Sequence, residues 1–144
     1  MKEKINSILR EYWGYNSFRP LQEDIILSVL SGNDTLALLP TGGGKSITFQ
    51  VPALAKEGIC IVVTPLIAFM KDQVENLNVR EIKAAAVYSG MSNDEIDLVL
   101  NNAVFGAYKF LYLSPERLAT RMFVTRLPDM KINYVAVDEA HCIS

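Results

Sequence analysis

Residues 41–46 read Thr41-Gly42-Gly43-Gly44-Lys45-Ser46, and this stretch decides how the surrounding chain can fold. Three consecutive residues without a Cβ let the backbone turn tightly and aim successive N–H groups at one anion. The apolar run 36–39 before the stretch has strand length, and residues 47–55 after it can form a helix whose positive end faces the same anion. A strand, a glycine loop and a helix in this order predict a phosphate-binding loop.

In such a loop, Lys45 reaches the β- and γ-phosphates of a nucleotide and the Ser46 hydroxyl ligates Mg²⁺. The general form of the motif, G-x-x-x-x-G-K-[ST], has a glycine where this chain has Leu39. A flexible glycine turn with a chance lysine is the structural alternative. The strand and helix patterns on either side favour the phosphate loop.

Two adjacent carboxylates follow another apolar run. Residues 134–137 read Tyr-Val-Ala-Val, and Asp138 and Glu139 come next. Ligands of parallel α/β sheets bind at the carboxyl ends of the strands, so we predict that Asp138 holds Mg²⁺ and that Glu139 orients and deprotonates a water. An exposed acidic strand end is the structural alternative, which the phosphate loop upstream disfavours. The two motifs together indicate a site that hydrolyses ATP.

Apolar runs of strand length recur about every 25 residues, with helix-like segments between them, and this rhythm is typical of a parallel α/β sheet. We predict about five strands with helices on both faces, preceded by a helical N-terminal extension over residues 1–34. The predicted strands are 35–39, 59–63, 84–88, 109–113 and 133–137.

Helix starts are marked by hydroxyl residues. Thr64-Pro65 and Ser114-Pro115 each place a hydroxyl before a proline, which predicts a capped helix with proline at its first position. Ser92, followed three residues later by Glu95, predicts a capping box.

Composition indicates an intracellular protein, cytoplasmic if bacterial. Half of the 144 residues are hydrophobic, yet no apolar run is long enough to cross a membrane, and the N-terminus lacks the apolar stretch of a signal peptide. Cys60 and Cys142 lack metal-ligand spacing, and we expect both to be reduced thiols. The net charge of −2 does not indicate nucleic-acid binding, so any DNA-binding surface must be local or completed by other sequence.

The N-terminal extension contains a candidate base-reading motif. A glutamine amide such as that of Gln22 can pair with the N6 and N7 edge of adenine, while the Tyr15 ring and the Arg19 guanidinium can stack on the base. The alternative is an ordinary helix start with a buried Phe18 and a solvated arginine.

Across nearly its whole length, the chain resembles the first RecA-like domain of RecQ-family DNA helicases, which belong to helicase superfamily 2. The resemblance rests on the order and spacing of residues 18–22, 41–46, 64–74, 112–118 and 138–144. DEAD-box RNA helicases share the phosphate loop, but they carry aspartate where this chain has His141.

The resemblance implies a role for each matching position. Adenine is read by Tyr15, Arg19 and Gln22, and the phosphates are bound by the loop Thr41, Gly42, Gly43, Gly44, Lys45 and Ser46. Mg²⁺ is held by Ser46 and Asp138, Glu139 is the catalytic base, and His141 couples hydrolysis to DNA binding. The DNA backbone is contacted by Thr64, Pro65, Leu66, Ser114, Pro115 and Arg117. The implied cofactors are ATP and Mg²⁺, and the implied partners are single-stranded and duplex DNA, with no membrane.

In the family, an aromatic-rich loop, a second RecA-like domain with an arginine finger and a zinc-binding region follow the part that this chain matches. The resemblance therefore implies an ATP-dependent 3′–5′ DNA helicase whose zinc site lies outside these 144 residues. We expect the chain by itself not to unwind DNA. A non-catalytic nucleotide- or partner-binding module is the alternative function.

Overall fold

The computed structural model of the protein describes residues 1–35 and 45–138. The chain divides into two units, Met1–Glu57 and Gly58–Ser144, and each is described by itself. The domain boundary that we predicted after residue 34 stays a prediction. Within the described ranges, no helix has the length and apolar character that crossing a membrane requires.

The first unit is helical. Its helices are α1 (Lys2–Trp13), α2 (Gln22–Leu30) and α3 (Ile47–Ala55). Their apolar faces form one buried cluster, because apolar residues recur at helical spacing in each segment. The members of this cluster are Ile5, Ile8, Leu9, Ile26, Ile47 and Val51. The predicted helical N-terminus is present, and α3 has the predicted bounds.

The second unit alternates strands and helices. Its strands are β1 (Ile59–Val63), β2 (Ala84–Val87), β3 (Phe110–Leu113) and β4 (Ile132–Val137). Its α-helices are α4 (Ile67–Val79), α5 (Asn93–Val104) and α6 (Arg121–Val124). Two 3-10 helices cover Pro115–Ala119 and Leu127–Asp129.

The four described strands form one parallel sheet in the order β2-β3-β1-β4. This result confirms the predicted parallel α/β fold, and each described strand lies within one residue of its predicted bounds. The predicted strand 35–39 lies almost wholly outside the described residues.

Helices cover both faces of this sheet, as predicted. Leu111 and Leu113 of β3 belong to a core cluster that includes Ile96 and Leu100 of α5 and Phe123 of α6. Successive strand residues point to opposite faces, so Tyr112 points to the other side. There its hydroxyl donates a hydrogen bond to Gln73 Oε1 of α4, at 3.2 Å.

The helix starts agree only in part with the predicted caps. Ser92 caps α5 in a complete capping box with Glu95, as predicted. The prediction that Thr64 caps α4 is wrong, because the helix begins only at Ile67, after Leu66 in an extended conformation. Ser114 does precede a 3-10 helix that starts with proline, but its hydroxyl makes no capping hydrogen bond.

Side-chain amides and guanidinium groups connect the elements of this unit. Asn78 near the end of α4 binds the backbone of Ala84 twice: its Nδ2 donates to the carbonyl oxygen at 3.3 Å, and its Oδ1 accepts from the N–H at 3.0 Å. Arg126, between α6 and the second 3-10 helix, contacts both Asp97 and Asn101 of α5.

Candidate functional site

The carboxyl ends of the strands bring three predicted site residues into one row. The first residue after each of β3, β1 and β4 continues the ladder with its backbone N–H. Ser114 donates to Val87 at 3.3 Å, Thr64 to Leu113 at 3.1 Å and Asp138 to Val63 at 2.8 Å. Ser114, Thr64 and Asp138 therefore lie side by side along the edge where parallel sheets bind ligands.

Asp138 ends β4 in a position suited to a metal-binding carboxylate. Its side chain is largely buried, and its backbone is held by the ladder bond to β1. Carboxylate oxygen is a preferred donor to Mg²⁺. Glu139 and His141, the predicted base and coupling residue, lie outside the described residues.

The segment after β1 turns through a hydroxyl contact before α4 begins. Thr64 is fully buried, and its Oγ1 accepts a hydrogen bond from the Leu66 N–H at 3.4 Å. Leu66 itself is 47% exposed. The surface of the predicted DNA-contacting segment 64–66 thus includes Leu66, and the amides at the start of α4 follow directly.

The segment after β3 contains three residues of the predicted DNA-contacting set. Among the described residues, the buried Arg117 Nε has no hydrogen-bond acceptor, whereas the hydroxyl of Ser114 lies against the Glu116 carboxylate. Pro115 lies between Ser114 and Arg117, at the start of the 3-10 helix. A buried donor without an acceptor is costly, so an acceptor that reaches Arg117 Nε would stabilise this segment.

The loop after β2 joins this row through a contact that the sequence did not reveal. Ser89 Oγ donates a hydrogen bond to Glu116 Oε1 at 2.8 Å. The pKa of Glu116 is lowered, chiefly by its own backbone N–H and next by the hydroxyl groups of Ser114 and Ser89. Beside this loop, Lys71 Nζ lies 4.9 Å from the centre of the Tyr88 ring, a cation–π distance.

In the first unit, the predicted adenine motif surrounds the start of α2. Gln22 is the first residue of the helix and is 3% exposed, and its Oε1 accepts a hydrogen bond from the Arg19 N–H at 2.8 Å. Tyr15 and Arg19 are exposed, as stacking on a base requires.

The end of the predicted phosphate loop is described, and its glycines are not. Lys45 and Ser46 form the turn that leads into α3. The Ser46 hydroxyl makes no capping hydrogen bond to the helix, and its oxygen is a hard donor of the kind that suits Mg²⁺. Residues 41–44 lie outside the described part of the chain.

Known proteins have sequences similar to this one. Over 142 residues, the chain is 44% identical to the probable ATP-dependent DNA helicase RecS of Bacillus subtilis, covering 98% of this chain and 28% of the relative. It is 46% identical to the ATP-dependent DNA helicase RecQ of Bacillus subtilis and 41% identical to RecQ of Haemophilus influenzae, with 100% and 96% of this chain covered. The chain spans only 24% and 22% of those two relatives.

Solved structures share the fold. The helicase MrfA bound to DNA and AMPPNP matches with a TM-score of 0.80 at 21% identity, over 97% of this chain and 21% of MrfA. A hypothetical ATP-dependent RNA helicase from Sulfolobus tokodaii matches with a TM-score of 0.75 at 26% identity, over 99% of this chain and 43% of that protein.

A family model described as DEAD/DEAH box helicase matches residues 19–144. The resemblance to RecQ helicases is confirmed by the identities above, and the RecA-like fold is confirmed by the parallel sheet and the structural matches. The chain therefore belongs to the DEAD/DEAH box helicase family.

Proposed function

We propose that this chain is the N-terminal ATP-binding part of an ATP-dependent 3′–5′ DNA helicase, which couples ATP hydrolysis to DNA unwinding. The observation that carries the proposal is the row of Ser114, Thr64 and Asp138 at one edge of the sheet. It sets a candidate metal-binding carboxylate beside candidate DNA contacts. The sequence similarity to RecQ DNA helicases supports DNA as the nucleic acid.

In this proposal, residues 41–46 bind the triphosphate. Lys45 neutralises the charge of the β- and γ-phosphates, and the adenine motif at the start of α2 selects the base. Gln22 reads the adenine edge with its amide, already oriented by the Arg19 N–H. Preorganisation of this kind lowers the entropic cost of binding.

In this proposal, residues at and after the end of β4 carry out the hydrolysis. Ser46 and Asp138 supply the oxygen ligands for Mg²⁺, which when bound neutralises charge on the β- and γ-phosphates. Glu139 accepts a proton from the attacking water, and His141 connects the site to bound DNA. General-base catalysis contributes about 10²–10⁴ in rate.

DNA binds along the carboxyl edge through its backbone. The amides at the start of α4 and the side chain of Arg117 are the donors, because hydroxyl and amide groups bind phosphate without reading sequence. Contacts of this kind fit a helicase, which must act on any sequence. A cellular role in DNA repair or recombination, inside the cell and in the cytoplasm if bacterial, follows from the same proposal.

Nucleotide binding is tested by calorimetry with ATP and Mg²⁺ on residues 1–144. We expect weak binding by the wild type and loss of most of it in Lys45→Ala, with Lys4→Ala, at an exposed position of α1, as the control of equal charge change. Equal affinity of wild type and Lys45→Ala would reject the assignment. Gln22→Ala should weaken ATP binding more than GTP binding.

Steady-state ATPase with and without single-stranded DNA separates the helicase from a non-catalytic binding module. An arginine finger is worth about 10³–10⁵ in rate, and the resemblance assigns it to sequence beyond this chain. We therefore expect near-background ATPase from residues 1–144, whereas a protein extended as in the relatives should hydrolyse ATP when DNA is added. In that protein, Glu139→Gln should retain ATP and lower turnover at least about a hundredfold.

A further inference from the structure

The hydrogen bond between Ser89 and Glu116 joins two loops at the carboxyl edge of the sheet. Ser89 follows β2 and Glu116 lies in the 3-10 helix that follows β3, and their side-chain oxygens are 2.8 Å apart. Both residues are exposed, so the bond contributes little to the core. Its position directly before Arg117 suggests a role at the surface.

The negative charge of Glu116 opposes a role in DNA binding, because DNA is also negatively charged. Its pKa is lowered, first by its own backbone N–H, so the side chain is a carboxylate near neutral pH. A carboxylate next to a phosphate-binding arginine repels DNA. A neutral residue would serve binding better if the local charge were all that mattered.

The hydroxyl of Ser89 is committed to this contact. A serine has one O–H donor, and here it is donated to the carboxylate. Hydrogen bonds to ionised acceptors are about twice as strong as neutral ones. Ser89 thus acts as a tether for the short 3-10 helix, which spans only Pro115–Ala119 and has no side-chain cap of its own.

We propose that Glu116 is a positioning residue for DNA binding: by accepting the Ser89 hydrogen bond, it holds the 3-10 helix so that Arg117 is preorganised for a backbone phosphate. This inference rests on the proposed DNA-binding function. Its benefit is entropic, because an ordered arginine loses less freedom when it binds. That benefit must exceed the repulsion between the carboxylate and the phosphate.

Whether a substitution at Glu116 weakens or strengthens DNA binding distinguishes a positioning role from simple charge repulsion. We measure binding of residues 1–144 to a fluorescein-labelled single-stranded 15-mer by anisotropy at low salt. Positioning predicts that Glu116→Ala and Ser89→Ala each weaken binding about 3–10-fold, although the first removes a repulsive charge. Glu116→Gln keeps an acceptor oxygen, so it should bind as well as the wild type or better. Asp129→Ala, exposed and with the same charge change, is the matched control and should bind slightly tighter.

The double variant Ser89→Ala/Glu116→Ala should bind no more weakly than Glu116→Ala, because Glu116→Ala already removes the Ser89 contact. Hydrogen exchange gives a readout without DNA: the amides of residues 117–119 should exchange faster in Glu116→Ala and Ser89→Ala and not in Glu116→Gln. Equal or tighter DNA binding by Glu116→Ala, additive effects in the double variant, or unchanged exchange would each overturn the inference. If the wild type fails to bind DNA, the proposed function fails with it; if the wild type binds and Arg117→Ala weakens binding while Glu116→Ala does not, this inference alone fails.

Discussion

The carbonyl oxygen of Lys131 passes so close to Gly58 that a Cβ added there would lie 2.5 Å from it. The same oxygen accepts a hydrogen bond from the Ile59 N–H at 2.8 Å, where β1 and β4 start to pair. Gly58 also has a φ of +109°, which side chains rarely adopt. The strand that carries Thr64 is therefore aligned with the strand that carries Asp138 by a contact that only glycine permits.

Gly58→Ala should destabilise the chain severely, by about 3 kcal/mol or more, because backbone strain and a steric clash act together. Gly106→Ala is the matched control: its φ is +82°, but nothing lies within 4 Å of an added Cβ. This control should cost about 1–2 kcal/mol from strain alone. Urea denaturation measures the free energy of unfolding of both variants. Equal losses of stability would mean that the backbone at Lys131 shifts to accommodate the added Cβ.

Arg126 should contribute more to stability than a typical surface ion pair. Its Nε donates to Asn101 at 2.9 Å, its Nη1 donates to the Met122 carbonyl at 2.8 Å, and its Nη2 contacts Asp97. We expect Arg126→Ala to cost about 1–2 kcal/mol, since three bonds to a largely buried guanidinium are lost. Arg121→Ala, exposed on α6, should cost less than about 0.5 kcal/mol in the same thermal or urea unfolding assay. A similar loss in both variants would contradict this assignment.

The thiol of Cys60 should make the chain less stable in alkali. Burial raises its pKa from 9.0 to about 12, while nearby Lys109 opposes the shift. Above pH 9 the unfolded chain loses this proton and the folded chain keeps it, so stability should fall between pH 9 and 12 by on the order of 1 kcal/mol per pH unit. Urea denaturation at pH 8 and 10.5 measures the fall.

Cys60→Ala removes the titrating group and should show a smaller fall over the same pH range. The comparison uses the slope with pH, because the substitution also leaves a small cavity that lowers stability at every pH. Parallel curves for wild type and variant would mean that Cys60 does not keep its proton when folded.

Ser92→Ala should cost about 1 kcal/mol, because it removes the acceptor for the Glu95 N–H in the capping box of α5. Ser92→Asp keeps an acceptor at the cap and should retain most of the stability. Equal losses in both variants, measured by thermal unfolding, would show that the cap does not hold this helix end.

The sequence predicted the elements whose burial pattern is simple. The run 59–63 is buried at every residue, and it appears as an unbroken apolar stretch, as an inner parallel strand should. Ile47–Ala55 is helical as predicted even though Pro52, in its second turn, has no N–H to donate to the helix. The parallel topology followed from the regular spacing of such runs.

Local backbone conformations and contacts between distant parts of the chain were harder to predict from the sequence. Thr64 looks like a helix cap, yet Leu66 adopts φ −96° and ψ 99°, and α4 starts after it. The neighbouring sequence does not indicate that the helix starts after Leu66. Ser89 lies outside every motif, and the motif over residues 112–118 does not reveal that Glu116 has a partner. Only the parallel pairing of β2 with β3 brings together the loops that contain these two residues.

The two bonds from the Asn78 amide to Ala84 have a consequence for self-association. β2 ends the described sheet order, and the ladder to β3 uses the carbonyls of Lys83 and Val87, so the N–H and C=O of Ala84 point outward. Asn78 satisfies both groups as a neighbouring strand would. An incoming strand from a second molecule therefore finds the start of this edge already paired, which is one of the ways proteins keep open sheets from joining edge to edge.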